Sequence, residues 1–438
     1  MKMNMESLTE KKVRNTSLLF MGLAHILYLK DYLKGSVFAL IELIFLVSIP
    51  KVIKNISNLI TLGTSKPHLP IFQRDNSTYM LFDGIITIIF ILLFFLMYYI
   101  SVKSARKSYQ EYKIKGRRKN VRESLADIST GSFSLFGLLP ALLLVVFFVL
   151  VPLIFSACVA FTNYSAPNHI TPNNVVDWVG LDNFRTLFGG DILWGKALGR
   201  VSLWTLVWAL LATTTCFFGG FIIAVILRES KIKIAPVFRG IFILPYAVPS
   251  VISMLVWQNL LNGSFGTVNR TLMKLGIIDK VIPWLSDPWL AKFTVVMINL
   301  WAGYSYFMLL TTGSMTAISQ DIYDAARIDG ANSFQVFSKI TFPLVIYQTM
   351  PLLVMSFTHN INNFGAIFFL TGGKPVVADS ATTSAGGTDI LITWIYDLTI
   401  NLQKYNMGAA LAVMIFIILA PFAIFNFSRT KSFKEGEL

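Results

Sequence analysis

The chain has 438 residues, 55% hydrophobic and 14% charged, with a mean hydropathy of +0.64 and a formal net charge of +14. Soluble domains carry roughly a quarter charged residues, so these values argue against a soluble multidomain protein. The positive charge lies in short stretches beside apolar runs, as membrane orientation demands, and not as a nucleic-acid patch. The two cysteines, Cys158 and Cys216, sit inside apolar runs, which argues against a disulfide framework and metal-ligand spacing.

A membrane helix takes ~20 mostly apolar residues. At the start, Lys2, Lys11, Lys12 and Arg14 precede an apolar run at 17–29. That run is short for a span and reads as interfacial or re-entrant; no small-residue cleavage site follows it, so the segment is expected to be retained. Expected spans follow at 36–53, 79–102, 133–161, 201–227, 238–260, 290–315, 342–357 with a polar extension to 364, and 407–427. The count is eight, or nine if 17–29 crosses. Between the second and third lies the densest basic cluster, with Lys103, Arg106, Lys107, Lys113, Lys115, Arg117, Arg118, Lys119 and Arg122. The positive-inside rule makes it cytoplasmic. It divides an N-terminal part, 1–132, from a six-span core, 133–438. Both termini are then cytoplasmic, together with Arg228, Lys231, Lys233, Arg239, Arg429, Lys431 and Lys434. The intervening external loops, 55–77, 162–199, 261–289 and 365–405, are rich in turn-forming residues.

The loop between the fourth and fifth core spans, 321–343, reads Asp321-Ile-Tyr-Asp-Ala-Ala-Arg-Ile-Asp-Gly-Ala-Asn-Ser-Phe-Gln-Val-Phe-Ser-Lys-Ile-Thr-Phe-Pro343. Asp321 is the expected N-cap, with Asp324 in the first turn at the positive end of the helix dipole. Ala325 and Ala326 favour helix and leave room for close approach, and Gly330 is the expected C-cap. A second short helix at 333–339 leads to Pro343. On physics alone this is an amphipathic helix-turn-helix in a cytoplasmic loop.

The loop resembles the EAA motif of ATP-binding-cassette (ABC) importer permeases. Asp324-Ala325-Ala326, Gly330, Ile340 and Pro343 match it in type and spacing, with Asp324 for the usual Glu and Phe342 for the usual Leu. The resemblance implies that these residues dock on an ATP-hydrolysing partner and transmit its closure. The sequence contains no Gly-x-x-x-x-Gly-Lys-Ser/Thr phosphate loop; Gly372-Gly373-Lys374-Pro375 is the nearest look-alike. No cofactor is expected on this chain, with ATP and Mg used by the partner ATPase.

Two polar stripes fall inside the apolar runs. Asn299, Ala302, Gly303 and Tyr306 share one helix face, and Ser356, His359, Asn360 and Asn363 repeat the spacing. Periodicity leaves interhelical hydrogen bonding and a substrate-lined cavity equally open. Ile243-Leu-Pro-Tyr-Ala-Val-Pro-Ser250, Asn299-Leu-Trp-Ala-Gly-Tyr-Ser-Tyr306, Ser356-Phe-Thr-His-Asn-Ile-Asn-Asn-Phe364 and Thr388-Asp-Ile-Leu391 resemble the maltose/maltodextrin permeases of the MalF type. By that resemblance, sugar contacts are expected at Asn299, Ala302, Gly303, Tyr306, Ser356, His359 and Asn360, with Tyr246 beside them. His359 stands where that family has Phe, and Ala302 where it has Leu. Leu370-Thr-Gly-Gly-Lys-Pro375 departs from the family's Leu-Thr-x-Gly-Gly-Pro, and loop 162–199 leaves room for a small cap in place of a folded domain. Tyr28-Leu-Lys-Asp-Tyr-Leu-Lys-Gly35 resembles Gram-positive members, which hints at a lipid-tethered binding protein.

The expected fold is therefore an all-α polytopic membrane protein: a six-helix ABC importer permease core with two additional N-terminal membrane helices. The resemblance implies a bacterial plasma membrane, a second homologous permease, two ATPase subunits, an external binding protein and a maltodextrin-type oligosaccharide. One rival is the same machine for another sugar, such as raffinose-type oligosaccharides. The other is a proton-coupled secondary transporter using Glu42, Asp83 or His359. Glu42 is expected to pair with a polar neighbour and Asp83 to reach interfacial water.

Overall fold

In hydrocarbon the backbone must satisfy its own hydrogen bonds, which long apolar runs achieve as helices. The computed structural model describes residues 9–117, 133–229 and 234–428, and among them all regular structure is helical, with two isolated β-bridges. Lys2, Arg118, Lys119, Arg122, Lys231, Lys233, Arg429, Lys431 and Lys434, used above for orientation, lie outside the described residues. The chain divides into two compact units, Met1–Val179 and Gly180–Leu438.

In the first unit, α1 (Glu10–Leu19) is capped by the Thr9 hydroxyl, which accepts from the Lys12 N–H. The apolar run 17–29 does not form one helix. α1 stops at Phe20, Gly22 turns the chain at φ +78°, and a single wide turn follows at His25–Leu29. A Cβ on Gly22 would collide with the backbone of Gly35, so glycine is required where the strand of chain crosses the next helix. That helix, α2 (Tyr32–Thr61), forms a hairpin with α3 (Ser77–Lys115). Phe45 stacks on Phe94 at 3.7 Å, and Asn55 donates to Thr87 at 2.9 Å. Glu42 is buried and accepts the Met21 N–H, a donor freed where the chain leaves α1. Asp83 is exposed. At the hairpin's tip, the Lys66 ammonium at 2.9 Å and the Thr64 N–H hold the Asp75 carboxyl below its ordinary range. A further helix, α4, runs through Phe133–Val145, a wide turn at Val146–Leu150 and Val151–Val159.

The second unit is built on α5 (Ile192–Glu229), about 57 Å long at 1.5 Å per residue. The expected span 238–260 is broken: α6 (Ala235–Phe242), a short turn of helix at Leu244–Ala247 and α7 (Ser250–Leu260) bend by 87°. Pro245 and Pro249 supply the break, since each lacks an N–H and restricts its predecessor. The Ser305 hydroxyl donates to the Phe242 carbonyl at 2.6 Å, satisfying an acceptor at the break. α8 (Pro288–Thr316) packs along α5. A Cβ on Gly220 would overlap the backbone of Tyr304 and Met308, so this glycine permits the close crossing.

After α9 (Gln320–Ile328) comes α10, a continuous run over Ser333–Ile361 with one wide turn at Phe337–Thr341. The short helix expected at 333–339 is therefore the first part of the span. The loop expected at 365–405 is about half helical, with α11 (Phe364–Thr371), α12 (Leu391–Tyr396) and a wide turn at Asp397–Asn401. Its apolar residues Ile367, Leu370, Ile390, Trp394 and Leu398 are fully buried, which explains why turn-rich composition misled the reading. α13 (Tyr405–Ser428) ends the described chain. Six described helices are long and apolar enough to cross a membrane, and the broken 235–260 pair makes a seventh if it is one span. α13 is apolar over Tyr405–Pro421.

Candidate functional site

The break between α6 and α7 opens a cavity of about 610 Å³ against α5, α8, α10 and α11. Irregular backbone is tolerated in a membrane where it lines a cavity, and here Pro245 to Ser250 form one wall. All eight residues expected to contact substrate line it: Tyr246, Asn299, Ala302, Gly303, Tyr306, Ser356, His359 and Asn360. The stripes on α8 and α10 thus converge, and the 243–250 segment brings Tyr246 to them. The rings of Tyr246 and Tyr306 lie 6.3 Å apart, tilted by 34°.

The polar groups divide into two sets. Asn360 is committed to packing: its amide donates to Thr213 at 3.0 Å and accepts from Asn363 at 3.3 Å, while its carbonyl accepts from Trp208. Asn363 also caps α11 through Ala366. The interhelical reading therefore describes part of the second stripe. Asn299 is held through its Nδ2 by Cys216, leaving Oδ1 without a bond to another described residue. Ser253 is buried with an unpartnered hydroxyl on the cavity wall. Sequence periodicity missed Ser253 and Cys216. Ser253 lies past the break, where helical spacing loses register, and Cys216 reads as an ordinary apolar residue of α5.

α5 connects this cavity to two other regions. About 20 Å along it, Arg200 grips the 379–386 segment: it pairs with Asp379 at 2.6 Å and donates to the carbonyls of Ala385 and Gly386. Trp204 donates to the Thr388 carbonyl. Asp389, outside the spans, accepts from the Gly386 N–H and the Thr393 hydroxyl, and burial pushes its carboxyl up to about 6. A Cβ on Gly373, itself at φ +78°, would overlap that carboxylate.

At the other end, Arg228 stacks over the Tyr323 ring at 4.7 Å and donates to the Met315 carbonyl. Tyr323 is the buried anchor of α9, and its hydroxyl is 3.4 Å from Thr341. The expected N-cap, Asp321, is displaced by Ser319, whose side chain accepts from the Asp321 N–H. Asp324 is consequently beyond the first turn, where it accepts from Gln320 and pairs with Arg327 at 3.3 Å on the surface. Gly330 follows the helix at φ +79°; its N–H bonds Arg327 and that of Ala331 bonds Ala326, a closed helix end. Asn332 and Gln335 form a capping box that starts α10. Asp324, Ala325, Gly330 and Pro343 are exposed, and Ile340 packs inward. Ile328 and Phe334 are 86% and 75% exposed, an apolar surface flanking Gly330.

The maltodextrin transport system permease protein MalC of Streptococcus pneumoniae serotype 4 is 35% identical over 445 aligned positions, 98% of each chain. The galactooligosaccharides transport system permease protein GanP of Bacillus subtilis is 34% identical over 409, covering 93% of this chain and 95% of that one. Residues 216–430 match the family described as binding-protein-dependent transport system inner membrane component. The chain belongs to that permease family. The permease is thus a transport subunit of an ABC importer and not an enzyme. MalF of Klebsiella aerogenes is 37% identical over 256 residues, 58% of the permease and 49% of that protein. The fold of the permease is shared with a bacterial alginate ABC transporter solved with a pentasaccharide-bound periplasmic protein, at TM-score 0.56 and 23% identity over 69% of this chain and 96% of that one.

Proposed function

We propose that this permease carries maltose- or maltodextrin-type oligosaccharides inward through the 610 Å³ cavity, powered by ATP hydrolysed on a separate subunit. The carrying observation is the convergence of the Tyr246–Tyr306 pair with unengaged polar groups at Asn299, Ser253, Ser356 and His359 on one cavity. Aromatic faces suit the apolar faces of a sugar ring, and amide and hydroxyl groups suit its hydroxyls. Asn299, Ala302, Gly303, Tyr306, Ser356, His359 and Tyr246 form the binding set, with Asn360 shaping the wall while its amide stays bonded to Thr213 and Asn363. Relatives named for maltodextrin transport support the cargo. The similarity to GanP makes galacto-oligosaccharides the second reading.

The exposed apolar surface around Gly330 supports docking of an ATPase pair on Asp324, Ala325, Ala326, Gly330, Ile340 and Pro343. Closure of that pair moves α9, and Tyr323 passes the movement to α5 through Arg228. A second homologous permease completes the pathway, and an external binding protein delivers the sugar. The basic cluster that begins at Lys103 within α3, and Arg228, face the cytoplasm, so both termini lie inside. No cofactor is held by the permease itself. Residues 1–132 form an N-terminal addition to the six-span core at 133–438.

Uptake of labelled maltotriose into cells carrying the complete system, competed by maltose, longer maltodextrins, raffinose and galacto-oligosaccharides, tests the cargo. Competition by maltodextrins over the other two supports it. Competition by galacto-oligosaccharides alone moves the assignment to the second reading.

A further inference from the structure

α1 carries Lys11, Lys12 and Arg14 on its exposed surface, and none has a carboxylate partner among the described residues. The neighbouring carboxylate, Glu10, is taken by Arg106 at 2.7 Å. Beside these cations lies an open groove of about 420 Å³, lined by Lys11, Lys12, Asn15, Thr16, Leu19 and Tyr28 among others. Lys12 leans over the Tyr28 ring at 5.8 Å, and Thr16 donates to the Tyr28 hydroxyl at 3.3 Å. The far end is apolar: Leu18 and Leu19 are 50% and 77% exposed.

The depth of this groove follows from α3. Its 39 residues extend about 58 Å, nearly twice the ~30 Å hydrocarbon core. The surplus is its charged end, from Lys103 onward. α1 lies antiparallel along that end: Glu10 meets Arg106, and the Tyr98 hydroxyl donates to the Leu18 carbonyl. Lys11 and Lys12 therefore sit at the level of α3's charged residues, and Leu19 at the level of its aromatic, apolar stretch. Cations at headgroup depth and the exposed Leu19 at acyl depth, in one groove, match the two ends of a single amphiphile.

We propose that this groove seats an anionic phospholipid of the surrounding bilayer, its phosphate on Lys11 and Lys12 and an acyl chain along Leu19 and Tyr28. Neither the cargo nor the orientation of the permease enters this assignment. A lipid held there bridges α1 to the wide turn at Tyr28, where the basic face of α1 has no carboxylate partner among the described residues.

The test is native mass spectrometry of the purified full chain, titrated with phosphatidylglycerol or phosphatidylcholine of identical acyl chains. The expected result is a preference for phosphatidylglycerol. Lys11→Gln with Lys12→Gln lowers its affinity by at least about tenfold, since each lysine near an anionic headgroup is worth roughly fivefold. Phosphatidylcholine binding is then unchanged. Leu19→Ser weakens both lipids. Equal binding of the two lipids to the unmodified chain overturns the proposal, and so does a preference that survives the double substitution. Loss of the preference in a Lys51→Gln, Lys54→Gln control on α2 overturns it by showing a nonspecific charge effect. Displacement of the lipid by equimolar inorganic phosphate also overturns it, by making the site one for free phosphate.

Discussion

Asn299 is locked to Cys216 from two directions: its side-chain Nδ2 donates to the thiol sulfur at 3.3 Å, and the thiol donates to its backbone carbonyl at 3.4 Å. Gly303, one turn on, lies against the same sulfur, since a Cβ there would come within 2.7 Å of it. The cysteine thus sets which way the amide faces in the cavity. Cys216→Ala removes both bonds. Its expected effect on uptake is a KM raised two- to fivefold with little change in kcat, corresponding to roughly 0.5–1 kcal/mol for a modest hydrogen bond. Cys216→Ser restores a donor and acceptor and recovers most of the loss.

Ser253 separates binding from stability. Its buried hydroxyl has no protein partner, so Ser253→Ala removes a desolvated polar group and is expected to leave the melting temperature unchanged or raised. Sugar affinity falls by about 1 kcal/mol, roughly fivefold. Paired melting and uptake measurements check the opposite signs.

Two glycines give contrasting failures. Gly220→Val drives a side chain into the α8 backbone at Tyr304 and Met308, and the expected outcome is loss of folded permease on size exclusion. A Cβ at Gly330 meets nothing within 4 Å, and aspartate tolerates its left-handed backbone at about 1 kcal/mol. Gly330→Asp therefore inserts and folds, yet loses sugar-stimulated ATP hydrolysis. Normal transport by this variant removes the coupling role from Gly330.

Asp389 gives the folded protein a pH dependence. Its carboxyl lies near 6 when folded, mainly through burial, against an ordinary 3.8. An acid raised on folding contributes stability that is complete below the unfolded value and is lost as pH rises through the folded one. The melting temperature is expected to fall as pH rises from about 4 to about 7, by an amount reflecting at most roughly 3 kcal/mol in all. Asp389→Asn flattens that slope.

The sequence made different features legible for different physical reasons. The spans of α2, α3, α5 and α8 follow from uninterrupted apolar length, which a bilayer demands locally. The EAA spacing located α9, Gly330 and the start of α10. The N-cap of α9 falls at Ser319 and not at Asp321 because both are good N-caps, and only tertiary anchoring at Tyr323 selects between them. The 87° break at Pro245 and Pro249 was hidden because hydropathy averages over a bend. The buried 365–405 segment was read as a loop because its polar Asp379, Thr388 and Asp389 are satisfied by residues distant in sequence or by local turns. The cavity residues on α8 and α10 were recoverable by periodicity and resemblance, whereas Ser253 and Cys216 required the folded geometry.

The proposed import is driven by ATP and runs through the cavity on α8 and α10. Its most direct test is maltotriose uptake by proteoliposomes containing the permease with its partner subunits and binding protein. ATP supplied to the nucleotide-binding side is predicted to drive accumulation with no proton gradient present, and Asn299→Ala or Tyr306→Ala to reduce it. Accumulation driven by a proton gradient without ATP would contradict the account.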